Sequence, residues 1–188
     1  MRVRFVGVSP NLVVILMTTI FLFSSTRIGT SALQQQTKES GFVEAPSTLI
    51  KKAEGLRGKQ QRDSNQEAVL KYLEAAGFFR LAGQFASSAD ALTQAGTIDQ
   101  ELGDLSNALQ SFQDALTQSL KAKDDLQQGK ALNGLASVYF LKGESEAARE
   151  KSLKALDCAN RIKDDRLKAA ALTNLGESTF ASGDLATA

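Results

Sequence analysis

From Asn65 onward, apolar side chains recur at steps of three and four residues. Leu132, Leu135, Ala136 and Tyr139 lay one stripe along a helix, and Ala108, Phe112, Ala115 and Leu116 lay another. The spacing predicts helices in pairs. First helices run about Asp90–Leu102, Gln127–Leu141 and Leu167–Ala181, and second helices about Leu105–Lys121 and Ser145–Ile162. Gly103, Gly143 and Gly183 stand forty residues apart, each followed by an acid: Asp104, Glu144 and Asp184. Such a glycine ends a helix in a left-handed turn. The acid after it can cap the next helix, whose free N–H groups favour negative charge. Segments 103–142 and 143–182 are identical at 11 positions, a fixed-period similarity that marks a stacked repeat. The phrases KAKDD and RIKDD place basic residues at the end of each second helix, then open the next unit through Asp. Alanines at 108, 115, 148 and 155 hold neighbouring helices close, since no void is left for larger side chains.

Residues 65–83, NQEAVLKYLEAAGFFRLAG, fit the second-helix template, with Ala68, Tyr72 and Ala75 forty residues before Ala108, Phe112 and Ala115. No convincing first helix precedes them, so the expectation for 64–83 is a capping helix, with Phe78 and Phe79 covering the next unit. Residues 33–63 are rich in Gln, Lys, Ser and Gly without sustained periodicity, which suits a flexible linker with at most a short helix near Leu49–Leu56. The chain opens with basic residues, then an apolar run from Leu12 to Phe23, then Thr30-Ser31-Ala32. Residues 1–32 therefore read as a cleaved signal peptide, or as an uncleaved membrane anchor if the run extends back through Val3–Val8, with a buried core helix as the third option. Either leading option places the body outside the cytoplasm, secreted or, in a bacterium, in the periplasm. Membrane contact is expected only through residues 3–23.

Composition narrows the function. With 22 basic and 21 acidic residues, and Arg2, Arg4 and Arg27 all in the opening segment, the body is nearly neutral. A body without a basic stripe argues against nucleic acid as a partner. No His is present, which removes the commonest general base, the Ser-His and Cys-His pairs and His-ligated metals. Cys158, alone among Ala155, Leu156 and Ala159, is a small buried filler or else a reactive thiol. The acid pairs Asp124/Asp125 and Asp164/Asp165 recur at the inter-unit turn, which favours caps over cation binding. GLRGKQQ at 55–61 lacks the spacing of a phosphate loop. No catalytic residue, cofactor or metal is expected, and the chain is not expected to be an enzyme.

The repeated unit resembles the tetratricopeptide repeat. Leu132, Leu135, Ala136, Tyr139, Gly143, Ala148, Ser152 and Ala155 carry the pattern in the central unit. Leu92, Ala95, Gly96, Gly103, Ala108, Phe112 and Ala115 carry it in the one before, and Leu172, Leu175, Gly176, Gly183 and Ala188 in the last. A Trp-like first position is missing, Asp99 and Thr179 stand where the family has Tyr, and no Pro separates the units. A period of forty exceeds the family's usual repeat of about 34 residues and is similar to the longer-helix form of kinesin light chains. The resemblance covers about 65–188 and implies an all-α right-handed solenoid, with units at about 87–123, 127–163 and 167–188.

The resemblance also implies that first helices line an inner groove whose non-packing positions meet a protein or peptide ligand. Those positions are Asp90, Thr93, Thr97 and Gln100; Lys130, Asn133, Ser137 and Phe140; and Ala170, Thr173, Glu177 and Phe180. A solvated polar face is the plainer alternative for each. The Lys and Asn set that clamps a C-terminal carboxylate in some family members is not reproduced, because Thr93, Thr97 and Asn133 take its places. The leading expectation is thus an exported interaction scaffold. A second follows from the run EAVLKYLEAAGFFRLAG behind a leader, which resembles the opening of bacterial proteins that end in a CHAT protease domain. A third is a self-assembling array, because the chain stops at Ala188 in an unfinished unit, which would leave Leu172, Leu175 and Phe180 partly uncovered and suggests a truncated chain.

Overall fold

The computed structural model describes residues 44–183, and among them it holds seven helices and no strand. They are α1 (Pro46–Arg57), α2 (Arg62–Leu81), α3 (Phe85–Glu101), α4 (Leu105–Ala122), α5 (Asp125–Leu141), α6 (Ser145–Ile162) and α7 (Asp165–Ala181). The leader and anchor over 1–32, the linker as far as residue 43, and Asp184 and Ala188 lie outside the described residues. First helices of 17 residues and second helices of 18, joined by short turns, account for the forty-residue period from α3 onward.

Two expectations need correction at the start of the array. The short helix allowed near Leu49–Leu56 is the 12-residue helix α1, packed into the array rather than part of a flexible linker, opened by Pro46 and held by the fully buried Leu49 and Ala53. Only those two positions, four apart, are buried, so the stripe is too thin to stand out among Ser, Lys and Glu. Consequently α2 is not a lone cap. It is the second member of a pair, and Ala68, Tyr72 and Ala75 are buried as Ala108, Phe112 and Ala115 are forty residues later. Helix α3 also begins five residues earlier than its apolar stripe suggests. The polar Ser88 is buried there because its hydroxyl donates to the Ala76 carbonyl of α2 at 2.9 Å.

The turns follow the acids and glycines with one exception. Oδ1 of Asp104 accepts from the Asn107 N–H at 3.1 Å, that of Asp124 from Gln127 at 3.0 Å, and that of Asp164 from Leu167 at 2.9 Å. Glu144 makes no such cap. Its longer side chain instead pairs with Lys142 at 2.7 Å. Second helices end at Gly83, Lys123 and Lys163, all with positive φ and spaced by forty. Glycine reaches that left-handed region without a Cβ penalty, whereas lysine is strained by about 1 kcal/mol or more. Lys123→Gly is therefore expected to raise stability by roughly 1 kcal/mol. Urea unfolding checks it, and an unchanged or lower midpoint would contradict it.

Packing sets the curvature. First helices touch one another, α3 against α5 and α5 against α7, whereas second helices make no comparable contact among themselves. An array built this way curves toward its first helices. Phe112 of α4 wedges between two of them: a Cβ on Gly96 of α3 would lie 3.0 Å from its ring, and one on Gly134 of α5 only 2.4 Å. Leu132, Ala155, Cys158 and Ala171 form the next cluster along the stack. Beyond it, Leu172 is 47% exposed where Leu132, one unit earlier, is 3% exposed. No second helix lies on α7 among the described residues.

Candidate functional site

The inner face, where first helices meet, holds a cleft of about 540 Å³. Thr93, Thr97 and Gln100 of α3 form one wall, Lys130 and Asn133 of α5 the other, and Leu167 and Ala170 of α7 close one end. Six of the positions expected from sequence to meet a ligand, Ala170 among them, are thus gathered in one place. Ser137 joins them indirectly, because Gln100 Nε2 donates to its Oγ at 2.8 Å. Phe140, Thr173 and Glu177 are not on the cleft wall. Phe140 is half-buried on α5, while Thr173, Glu177 and Phe180 are exposed on α7.

Much of the polar face is already occupied by the protein itself. Thr93 is buried, and its hydroxyl donates to the Ala89 carbonyl at 2.9 Å. Thr97 donates to Thr93 O at 2.9 Å, and Thr173 to Ala169 O at 3.1 Å. A hydroxyl has one proton, so these three threonines offer a ligand acceptor lone pairs and methyl surface but no donor. Other groups form rungs between first helices. Lys130 Nζ pairs with Asp90 Oδ1 at 3.2 Å, joining α5 to α3. Asn174 Nδ2 donates to the Asn133 carbonyl at 3.1 Å, and Asn133 Nδ2 reaches the Leu167 carbonyl at 3.5 Å, joining α7 to α5. An exposed pair such as Lys130–Asp90 contributes only about 0–1 kcal/mol, so a ligand can displace it at small cost.

The other chemistry-bearing residues have structural partners. Asp124 and Asp164 cap helices. Asp125 accepts two hydrogen bonds from Arg161, at 2.7 and 3.0 Å, which hold its carboxyl below the ordinary range. Cys158 is buried beside Leu132 and Ala155, and burial pushes its thiol up, away from the reactive thiolate. No group of three His, Cys, Asp or Glu side chains converges on a metal position among the described residues. None of the described helices is long and apolar enough to cross a membrane.

A second cleft, between α1 and α3, went unforeseen because the sequence pattern does not pair α1 with the array. It is larger, about 1060 Å³, and Tyr72 and Gln127 line it.

The tetratricopeptide-repeat family model matches residues 87–160, which takes in α3 through most of α6. Residues 87–160 are similar to tetratricopeptide repeats. No curated protein matches the chain. The tetratricopeptide geometry continues outside the matched span: α1 with α2 forms a pair before it, and α7 repeats the first-helix position after it. Tetratricopeptide repeats are generally protein–protein interaction modules and are typically non-catalytic. In this chain, the face on which such a module would hold a partner is the one built by α3, α5 and α7.

Proposed function

We propose that the chain is a non-catalytic interaction scaffold that holds an extended or helical peptide along the inner face of its tetratricopeptide repeats. The observation that carries this is the cleft between α3 and α5, where Thr93, Thr97, Gln100, Lys130 and Asn133 stand around one opening. Its groups suit a peptide backbone: Gln100 and Asn133 bring amides, and Lys130 brings a cation held only by an exposed partner. Phe140, half-buried further along α5, adds apolar surface. The leader-like opening, with its apolar run from Leu12 to Phe23, supports export of this scaffold to the periplasm or the cell exterior.

Selection of a displayed random peptide library on the intact chain tests the scaffold. Peptides recovered should bind at least tenfold more weakly to a Gln100→Ala, Asn133→Ala double variant. A control change, Leu153→Ala, should leave binding within twofold, because Leu153 is exposed on α6 and does not line the cleft between α3 and α5. Equal loss from both variants, or loss only from the control, would overturn the placement. Export is tested by fractionating cells that express the chain. Recovery in the cytoplasm with the opening segment intact would exclude it.

A further inference from the structure

α1 and α3 are neighbouring first helices, yet they do not close on each other as α3 and α5 do. The cleft of about 1060 Å³ lies in that gap. Glu54 of α1, Asp90 of α3, Tyr72 and Phe79 of α2, and Gln127 of α5 all line it. One polar group is buried there without a partner, beside the phenol of Tyr72, which is 3% exposed and lines the cleft. The Oε1 of Gln127 is buried and accepts no hydrogen bond. A polar atom taken out of water without a partner is costly, and a ligand that supplies one recovers that cost.

The charges around these groups favour a donor. Burial pushes the Tyr72 phenol up, and Glu54 and Asp90 push it further against the opposing Arg57, so both carboxylates act on the same hydroxyl. Two bases nearby are committed. Arg57 gives Nη1 to Gln94 at 3.1 Å and Nη2 to Glu101 at 2.8 Å, and Lys130 pairs with Asp90. Glu54 has no ion-pair partner among the described residues. Lys51, exposed at the rim, and Arg57, which also lines the cleft but is held by Gln94 and Glu101, are the features that would favour an acid instead.

We propose that the α1–α3 cleft takes the basic side chain, arginine before lysine, of a peptide lying along the inner face. This rests on the scaffold function above and names the chemistry its partner presents. A guanidinium carries five N–H donors in one plane, enough to serve Gln127 Oε1 and the Glu54 carboxylate together. Its aliphatic stem covers Phe79, and its charge is attracted to the aromatic faces of Phe79 and Tyr72.

The test uses the intact chain and three labelled nonapeptides of alanine and serine that differ only at the centre: arginine, its neutral isostere citrulline, or glutamate. Fluorescence anisotropy gives the affinities, and amide chemical shifts map the site. The arginine peptide should bind at least fivefold more tightly than the citrulline peptide and tighter still than the glutamate one, with shifts at Glu54, Tyr72 and Gln127. Glu54→Gln should abolish the preference for arginine over citrulline while the circular-dichroism spectrum stays unchanged. Tyr72→Phe should weaken the arginine peptide twofold or more. Equal affinities, a preference for glutamate, or shifts confined to the Thr97–Asn133 cleft would overturn this assignment and leave the scaffold function standing. Failure of all three peptides to bind would also overturn it, and the library selection then decides the scaffold function separately.

Discussion

Phe112→Ala is expected to lower stability by about 3–5 kcal/mol, the range for emptying a buried aromatic site. The ring is 2% exposed and lies where α3, α4 and α5 meet, beside Ala108, Leu135 and Val138. Its counterparts forty residues away are Tyr72 and Ser152, and the facing positions on the following first helix are Gln94, Gly134 and Asn174. Glycine faces only the phenylalanine. Where serine replaces the ring, its Oγ turns back to the Ala148 carbonyl at 2.8 Å, and the facing position carries Asn174. The pairing gives a second, sharper expectation at the same place. Gly134→Ala adds helix propensity of about 1 kcal/mol, yet its methyl would lie 2.4–2.6 Å from three ring atoms. The ring cannot retreat, because Gly96 lies close on α3. A net loss of about 1–3 kcal/mol is therefore expected from overpacking. In the Phe112→Leu background that loss should shrink or change sign, which urea unfolding of the four-protein cycle measures. Additive costs would contradict the wedge.

Asp99→Asn is expected to stabilise the protein at pH 7 by up to about 3 kcal/mol. Asp99 occupies the place of Tyr139 one unit on, is 6% exposed, and has its carboxyl pushed up to about 6, first by burial and then by the charge of Asp104. The sign follows from proton binding. In the unfolded chain this carboxyl gives up its proton near pH 4, while the folded chain holds it until about pH 6. Between those values the folded state binds the extra proton, so stability falls as pH rises, and the full cost stands above pH 6. Asparagine carries no charge and no such cost. Asp125 and Glu150, whose carboxyls are held low, tilt stability the opposite way in acid, but both proteins share that slope. Urea midpoints of the two proteins should thus differ little at pH 4 and most at pH 7. A pH-independent difference, or a less stable variant at pH 7, would contradict the burial of a charge at Asp99.

The array was legible wherever a residue's role repeats. Glycines at 103 and 143, aspartates at 124 and 164 and the buried alanines recur because each unit solves the same packing problem, and two copies forty residues apart expose it. Helix α1 was legible only as a short helix near Leu49–Leu56, because its buried stripe is limited to Leu49 and Ala53, with Ile50 and Leu56 partly covered. The first turn of α3 stayed hidden for a related reason: Ser88 is buried by a hydrogen bond to Ala76 rather than by hydrophobicity. In the candidate site, the family resemblance named Thr93, Gln100, Lys130 and Asn133, and the structure brings them to one cleft. The resemblance could not show that Thr93 spends its hydroxyl proton on its own helix, or that Lys130 and Asn133 bridge neighbouring helices, because those partners are three-dimensional. The α1–α3 cleft was lost because the pattern does not pair α1 with the array.

Hydrogen–deuterium exchange of the intact chain, with and without a peptide selected on it, tests most directly whether the first helices are the binding face. Bound peptide is expected to slow exchange in segments 90–100 and 130–140, on α3 and α5, and to leave 105–122 and 145–162, on α4 and α6, unchanged. Slowed exchange confined to α4 and α6 would contradict it.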